Sequence, residues 1–125
     1  MHNGNLPAWT ASARVPGSGP YAITEHGNAV GIMGQLRAGH PRNPANKILW
    51  IVRLPRNGSD LVIRARPLSA SSPVITVTLP PDSSPGEIYP SYVDVPEAGC
   101  WRLTLRWAGH TDSLELSYVR PLPFG

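Results

Sequence analysis

From Trp101 to Trp107 the chain alternates without a break: Trp101, Leu103, Leu105 and Trp107 fall on one side, Arg102, Thr104 and Arg106 on the other. Successive side chains of a β-strand point to opposite faces, whereas a helix would spread these residues around its circumference. The segment is therefore a strand with an indole and leucine core face and a cationic, hydroxylic outer face. Residues 108–112 turn the chain. Leu114, Leu116 and Tyr118 repeat the pattern in a returning strand, which ends at Arg120-Pro121-Leu122-Pro123 because proline cannot donate to a ladder.

The same reading runs back along the chain. Residues 21–24 form a short first strand, with a turn at His26-Gly27-Asn28. Residues 29–36 form a second, in which Gly31 and Gly34 suit a bulge or a close backbone approach. Residues 47–54, KILWIVRL, are apolar on both faces, as in a central strand covered on both sides. Asn57-Gly58 in the next segment is a hairpin signal. Residues 61–66 alternate again, with Leu61, Ile63 and Ala65 inward and Arg64 and Arg66 outward, and residues 74–79 set Ile75, Val77 and Leu79 against Thr76 and Thr78. A loop rich in proline and serine then leads to a strand at 91–95.

The count is about seven or eight strands, with no amphipathic helix and no internal repeat. Regular spacing and turn-like connections predict an all-β antiparallel sandwich over residues 21–125, preceded by a flexible or irregular leader over residues 1–20. Trp50, Trp101, Leu103, Leu105 and Leu116 are expected in the core, with Ile63, Ile75 and Val77 on the facing sheet.

Composition narrows the class. The chain has 125 residues, enough for one domain with a substantial core, and 41% hydrophobic against 15% charged residues exclude a disordered acidic tail or a coiled coil. Its 15 prolines and 12 glycines cluster at segment borders, which fits many short elements joined by turns. The net charge is +3, with arginines scattered rather than gathered into a basic stripe with interleaved aromatics, so a nucleic-acid partner is not expected. No stretch has the length of a membrane helix.

Candidate chemistry is sparse. Cys100, the single cysteine, lies between Gly99 and a strand of core pattern, in no thiol-enzyme context, and reads as a small half-buried filler beside Trp101. His2, His26, His40 and His110 are far apart in sequence, without the close ligand pairs usual in zinc or copper sites, although sandwich loops can converge at one end. No nucleophile accompanies them as acid–base groups, and no cofactor is implied. Arg102 and Arg106, joined by Arg64 and Arg66 from a neighbouring strand, form a candidate binding patch, suited to a carboxylated or phosphorylated polymer. The plainer alternative is a solvated polar face with cross-strand partners such as Glu115.

Two stretches carry a family resemblance. Pro96-Glu97-Ala98-Gly99-Cys100-Trp101-Arg102-Leu103 is similar to a pattern of bacterial immunoglobulin-like domains, where Pro or Asp enters a tight corner, followed by Gly, one residue and an aromatic that opens a late strand. The span from NKILWIV through SPGEIYPSYVDVPEAGCWRLTLRW to Tyr118 resembles a group of uncharacterised extracytoplasmic bacterial lipoproteins. The resemblance implies an immunoglobulin-like β-sandwich acting as a non-catalytic accessory or binding module at the cell envelope, its partner a protein or an anionic envelope polymer. It also implies membrane attachment only through an anchor absent from this sequence. Since Met1-His2-Asn3-Gly4-Asn5-Leu6-Pro7 lacks the features of an export signal, export requires that such a signal precede this sequence. A structural or assembly protein of virion or pilus type is the alternative, and a metal-binding protein using loop histidines a lesser one.

Overall fold

In the computed structural model, which describes residues 2, 5–13, 20–39, 46–53, 58–81 and 88–120, the C-terminal alternation forms a hairpin of β8 (Gly99–Trp107) and β9 (His110–Val119). Its register pairs Trp101 with Leu116, Leu103 with Leu114 and Trp107 with His110. Ala108 and Gly109 make the two-residue loop with positive φ angles of 44° and 81°. That is the backbone of a type I′ turn, whose twist matches the strands it joins.

Seven further strands precede the hairpin: β1 (Tyr21–Ile23), β2 (Ala29–Met33), β3 (Leu36–Arg37), β4 (Lys47–Val52), β5 (Leu61–Pro67), β6 (Ile75–Leu79) and β7 (Ile88–Tyr92). They form two sheets, one in the order β1-β2-β4-β7 and the other in the order β3-β9-β8-β5-β6. The all-β, two-sheet architecture expected from the alternation is present. Among the described residues there are nine strands rather than seven or eight, because the segment at 29–36 splits. β2 stays in the four-stranded sheet, and after Gly34 the chain crosses to place β3 beside β9, in the one parallel pairing among the described residues.

Two further expectations are corrected. Asn57-Gly58 does not close a hairpin between β4 and β5: these strands belong to different sheets, and the connection crosses from one to the other. Residues 54–57 themselves lie outside the described set. Nor do Ile63, Ile75 and Val77 face the sheet of Trp101. They lie in the same sheet, because β5 pairs with β8 and β6 with β5. Of the expected core residues, Trp50 alone comes from the opposite sheet. Alternation tells which side of a strand is inward but not which sheet the strand joins.

Between the sheets lies one apolar cluster that includes Trp50, Ile63, Trp101, Leu103, Leu105 and Leu116, with Ile75 and Val77 of the edge strand partly buried against it. Trp50, Trp101 and Trp107 are at most 2% exposed. Each indole N–H has an acceptor: Trp50 Nε1 donates to Ser91 Oγ (3.0 Å), Trp101 Nε1 to the Glu97 carbonyl (2.9 Å) and Trp107 Nε1 to the Arg53 carbonyl (3.0 Å). A buried indole without a partner would lose its hydration uncompensated. Gly31 lies opposite Trp50 in the β2–β4 register. A Cβ there would stand 2.8 Å from Trp50 Cζ3 and 2.9 Å from Met33 Cε, so the ring lies across a strand that only glycine keeps low enough.

The outer face of β4 is also covered, which explains its continuous apolar sequence. Ile51 and its register partner Val30 are buried outside the main cluster, and a 3-10 helix at Ala8–Ala13 packs against β4. Arg53 stacks its guanidinium 4.5 Å from the Trp9 ring centroid, a cation–π contact. The chain's start is tied again where His2 bridges Tyr21 through paired backbone hydrogen bonds of 2.7 and 2.8 Å.

Two substitutions probe this core. Trp101→Ala should lower unfolding free energy by about 3–5 kcal/mol, through lost burial and the cavity left behind. Gly31→Ala should cost about 1–3 kcal/mol by overpacking against Trp50. Urea denaturation followed by tryptophan fluorescence measures both, and a loss well under 1 kcal/mol for Trp101→Ala would contradict its placement in the core.

Candidate functional site

Strand alternation dictates the outward face of the five-stranded sheet. With Leu61, Ile63 and Ala65 turned inward, β5 presents Val62, Arg64 and Arg66, and β8 presents Cys100, Arg102, Thr104 and Arg106. The β5–β8 register sets Arg66 opposite Arg102, Arg64 opposite Thr104 and Val62 opposite Arg106. All four arginines expected to form a patch thus share one face of two adjacent strands.

They are not equivalent. Arg102 Nη1 lies 2.6 Å from Glu25 Oε1 and 3.5 Å from Glu115 Oε2, Glu115 being its register partner on β9. The hydrogen bond that Arg102 donates to Glu25, helped by the charges of both glutamates, moves the guanidinium above its ordinary value. Arg102 is therefore neutralised, and the alternative of a cross-strand partner at Glu115 holds at this position. Arg64, Arg66 and Arg106 have no acidic partner among the described residues. Together with Val62, Val74 and Thr104 they line an open groove of about 320 Å³. Val62 and Thr104 are half-buried there, whereas the three arginines are exposed and Val74 is 51% exposed. Such a groove can hold anionic groups by charge-assisted hydrogen bonds from planar guanidinium forks.

Cys100 is exposed, which corrects its reading as a half-buried filler. Because Trp101 points inward, its predecessor on the strand must point outward, opposite Ser117. The histidines are dispersed. His2 stacks on Tyr21 with ring centroids 5.2 Å apart, His110 lies beside Trp107 at the turn, and His40 lies outside the described residues. Among the described residues no three His, Cys, Asp or Glu side chains are grouped as a metal site would require.

His26 has a different attachment. Its Nδ1 lies 3.0 Å from Asp112 Oδ1, and its ring is 74% exposed. Asp112 is the inward residue that opens β9, where the alternation carries Leu114, Leu116 and Tyr118 next, and its side chain is fully buried. It accepts hydrogen bonds from Thr24 Oγ1 (2.7 Å), Ser113 N (2.9 Å), His26 N (3.0 Å) and Asn28 N (3.1 Å). Burial alone would push this carboxyl up. The Thr24 hydroxyl and the three backbone N–H groups outweigh that effect and hold it at about 2, below the ordinary 3.8. The arrangement is a tie: a carboxylate of one sheet satisfies the turn between β1 and β2 of the other. Among the described residues no serine, threonine or cysteine bonds to the His26 ring, as the nucleophile of a catalytic triad would.

Asn46 does similar work elsewhere, accepting from Arg37 N (2.7 Å) and donating to the Arg37 carbonyl (2.6 Å) and to Asp94 Oδ1 (2.8 Å). Tyr118 donates to the Val93 carbonyl at 2.7 Å; burial, with the Asp94 charge adding to it, pushes its phenol well above the ordinary value. These polar ties and the Glu25 clamp on Arg102 are absent from the sequence reading. Asp112 alone left a signal, as a carboxylate at an inward position of an otherwise apolar face.

Comparison with protein-family models, with curated proteins and with solved structures finds no match for the chain.

The Asp112 tie carries a pH signature. A carboxyl with a depressed folded-state value stabilises the fold fully above its unfolded value, near pH 4, and that stability is lost as pH falls toward about 2. The loss should be on the order of 2 kcal/mol. Asp112→Ala should destabilise the domain by about 3 kcal/mol at neutral pH, leaving buried donors unpaired, and should flatten this acid limb. Denaturation midpoints recorded from pH 2 to 7 on both proteins check the two effects together.

Proposed function

We propose that this chain is a non-catalytic, immunoglobulin-like binding module that works outside the cytoplasm at the bacterial cell envelope and holds an anionic partner, protein or polymer, on the outer face of its five-stranded sheet. The single observation carrying the binding role is the groove of Arg64, Arg66 and Arg106, three cations without acidic partners among the described residues, lined also by Val62, Val74 and Thr104. A surface serving solubility alone would be expected to intersperse both signs, as happens around Arg102.

The strand order supports the immunoglobulin-like reading. Taking β2, β4, β5, β6, β7, β8 and β9 as strands A, B, C, C′, E, F and G yields an ABE sheet and a GFCC′ sheet. The envelope location rests on the sequence resemblance. A non-catalytic role accords with the attachment of each polar cluster described above: Asp112, Asn46 and Tyr118 all satisfy backbone groups.

Titration of the full chain with polygalacturonate, polyphosphate and poly-glutamate, followed by calorimetry, tests the reading. At least one of these anions should bind, with affinity falling as salt is added. The combined change Arg64→Ala, Arg66→Ala and Arg106→Ala should weaken it by about tenfold or more without changing the fold, since all three side chains are exposed. Failure of every anion to bind, or binding indifferent to the three arginines, would overturn the proposal.

A further inference from the structure

We infer that the outer edge of β6 is a docking site for an extended segment of another protein in which acidic and apolar side chains alternate. The inference rests on the binding role proposed for the arginine groove and names the partner of that same face.

The first ground is the edge itself. β6 ends the five-stranded sheet, and among the described residues no strand pairs with its outer side. Edge strands present unpaired N–H and C=O groups, and proteins that must keep them free protect them with charges, proline or a bulge. From Val74 to Leu79 the sequence is Val-Ile-Thr-Val-Thr-Leu, with no charge and no proline. It pairs with β5 in unbroken register from Leu61↔Leu79 to Ala65↔Ile75. The other sheet's edges are treated differently: β7 contains Pro90, and β1 is bridged by His2.

The inward side of β6 is unfinished. Ile75, Val77 and Leu79 are only partly buried against the core, where their neighbours Leu61, Ile63 and Ala65 are 0% exposed. A strand added beside β6 would bring its own inward side chains next to these three, and apolar ones would complete their cover.

On the outward side the new strand would lie about 10 Å from β5, two strand spacings away. Between them β6 raises only Thr76 and Thr78, short and uncharged. Arg64 stands opposite Thr76 and Arg66 one pleat further along, so a guanidinium can reach over a threonine to a carboxylate on the incoming strand. A second copy of β6 would supply threonines at those positions and leave the arginines unanswered. An acidic partner answers them, and a flexible polyanion would ignore the open backbone edge. Main-chain pairing would then give affinity, and alternate side chains specificity.

The test uses the full chain and a peptide of alternating valine and glutamate about eight residues long, slightly longer than the edge strand. Three controls accompany it: the same peptide with a central proline, its valine–lysine counterpart, and oligogalacturonate. Amide NMR should show resonances of residues 74–79 shifting with the valine–glutamate peptide, and outward β6 amides gaining protection from exchange. The proline peptide should bind about tenfold more weakly or not at all, since it breaks the ladder. The exposed change Arg64→Glu should reverse the preference in favour of the valine–lysine peptide. Equal binding of the proline peptide, shifts away from β6, or binding of oligogalacturonate alone would overturn this inference and leave the anion-binding role standing. No binding by any anionic probe would remove both. Self-association that protects the β6 amides without peptide, seen by sedimentation velocity, would make a second copy the occupant and overturn the inference.

Discussion

The dry layer between the two sheets is the constraint from which the rest of this structure follows. Trp50 fills it from one sheet, Trp101 and Trp107 from the other. Side chains of this size supply most of the driving force a small domain can gather, but they bring a polar N–H into the interior with each ring. The surrounding backbone is arranged accordingly: Ser91 passes the Trp50 hydrogen bond on to the Ile48 carbonyl at 2.9 Å, while Glu97 and Arg53 offer carbonyls at the margins. Gly31 gives up its side chain so that the Trp50 ring fits.

A sandwich has a second requirement. Along paired strands the ladder satisfies the backbone, but at turns and where the chain passes from one sheet to the other the ladder stops. Here side chains take over. Asp112 holds the β1–β2 turn from the start of β9, Asn46 joins Arg37 to Asp94, and Tyr118 caps the Val93 carbonyl. Each tie links segments distant in sequence, and each places a polar group in a buried setting where it must be fully satisfied. These residues are chemically conspicuous, and in a fold of unknown role they attract attention as catalytic candidates. Their hydrogen bonds tie backbone segments of the sandwich together.

The outer face of the five-stranded sheet is where the fold leaves chemistry unspent. Around Arg102 the charges close on themselves through Glu25 and Glu115. Across Arg64, Arg66 and Arg106 they do not close within the described chain. The same face runs out to an uncharged edge strand whose inner side is half covered. Cationic groove and open edge adjoin through β5 and β6, so a ligand that uses one lies within reach of the other.

By itself the sequence determined what strand alternation can determine: the strands around Trp50, Ile63, Ile75 and Trp101, the side of each that turns inward, and the sharing of one outward face by Arg64, Arg66, Arg102 and Arg106. A period of two is local and survives in any β context. Carried one step beyond Trp101 and Leu114 the same alternation puts Cys100 outward and Asp112 inward; the expectations of a half-buried Cys100 and of a turn over residues 108–112 did not follow it, and the structure corrects both. Only the tertiary structure decided which strands are neighbours. Asn57-Gly58 carries a hairpin signal between strands that lie in different sheets, and Ile63 joins Trp101's sheet instead of facing it, because pairing is set by how the whole set of strands closes around the indoles. It alone brought Glu25 to Arg102, with no such clamp on the other three arginines among the described residues, and left β6 at an edge. Partners in space depend on long-range closure, and a local pattern holds no record of it.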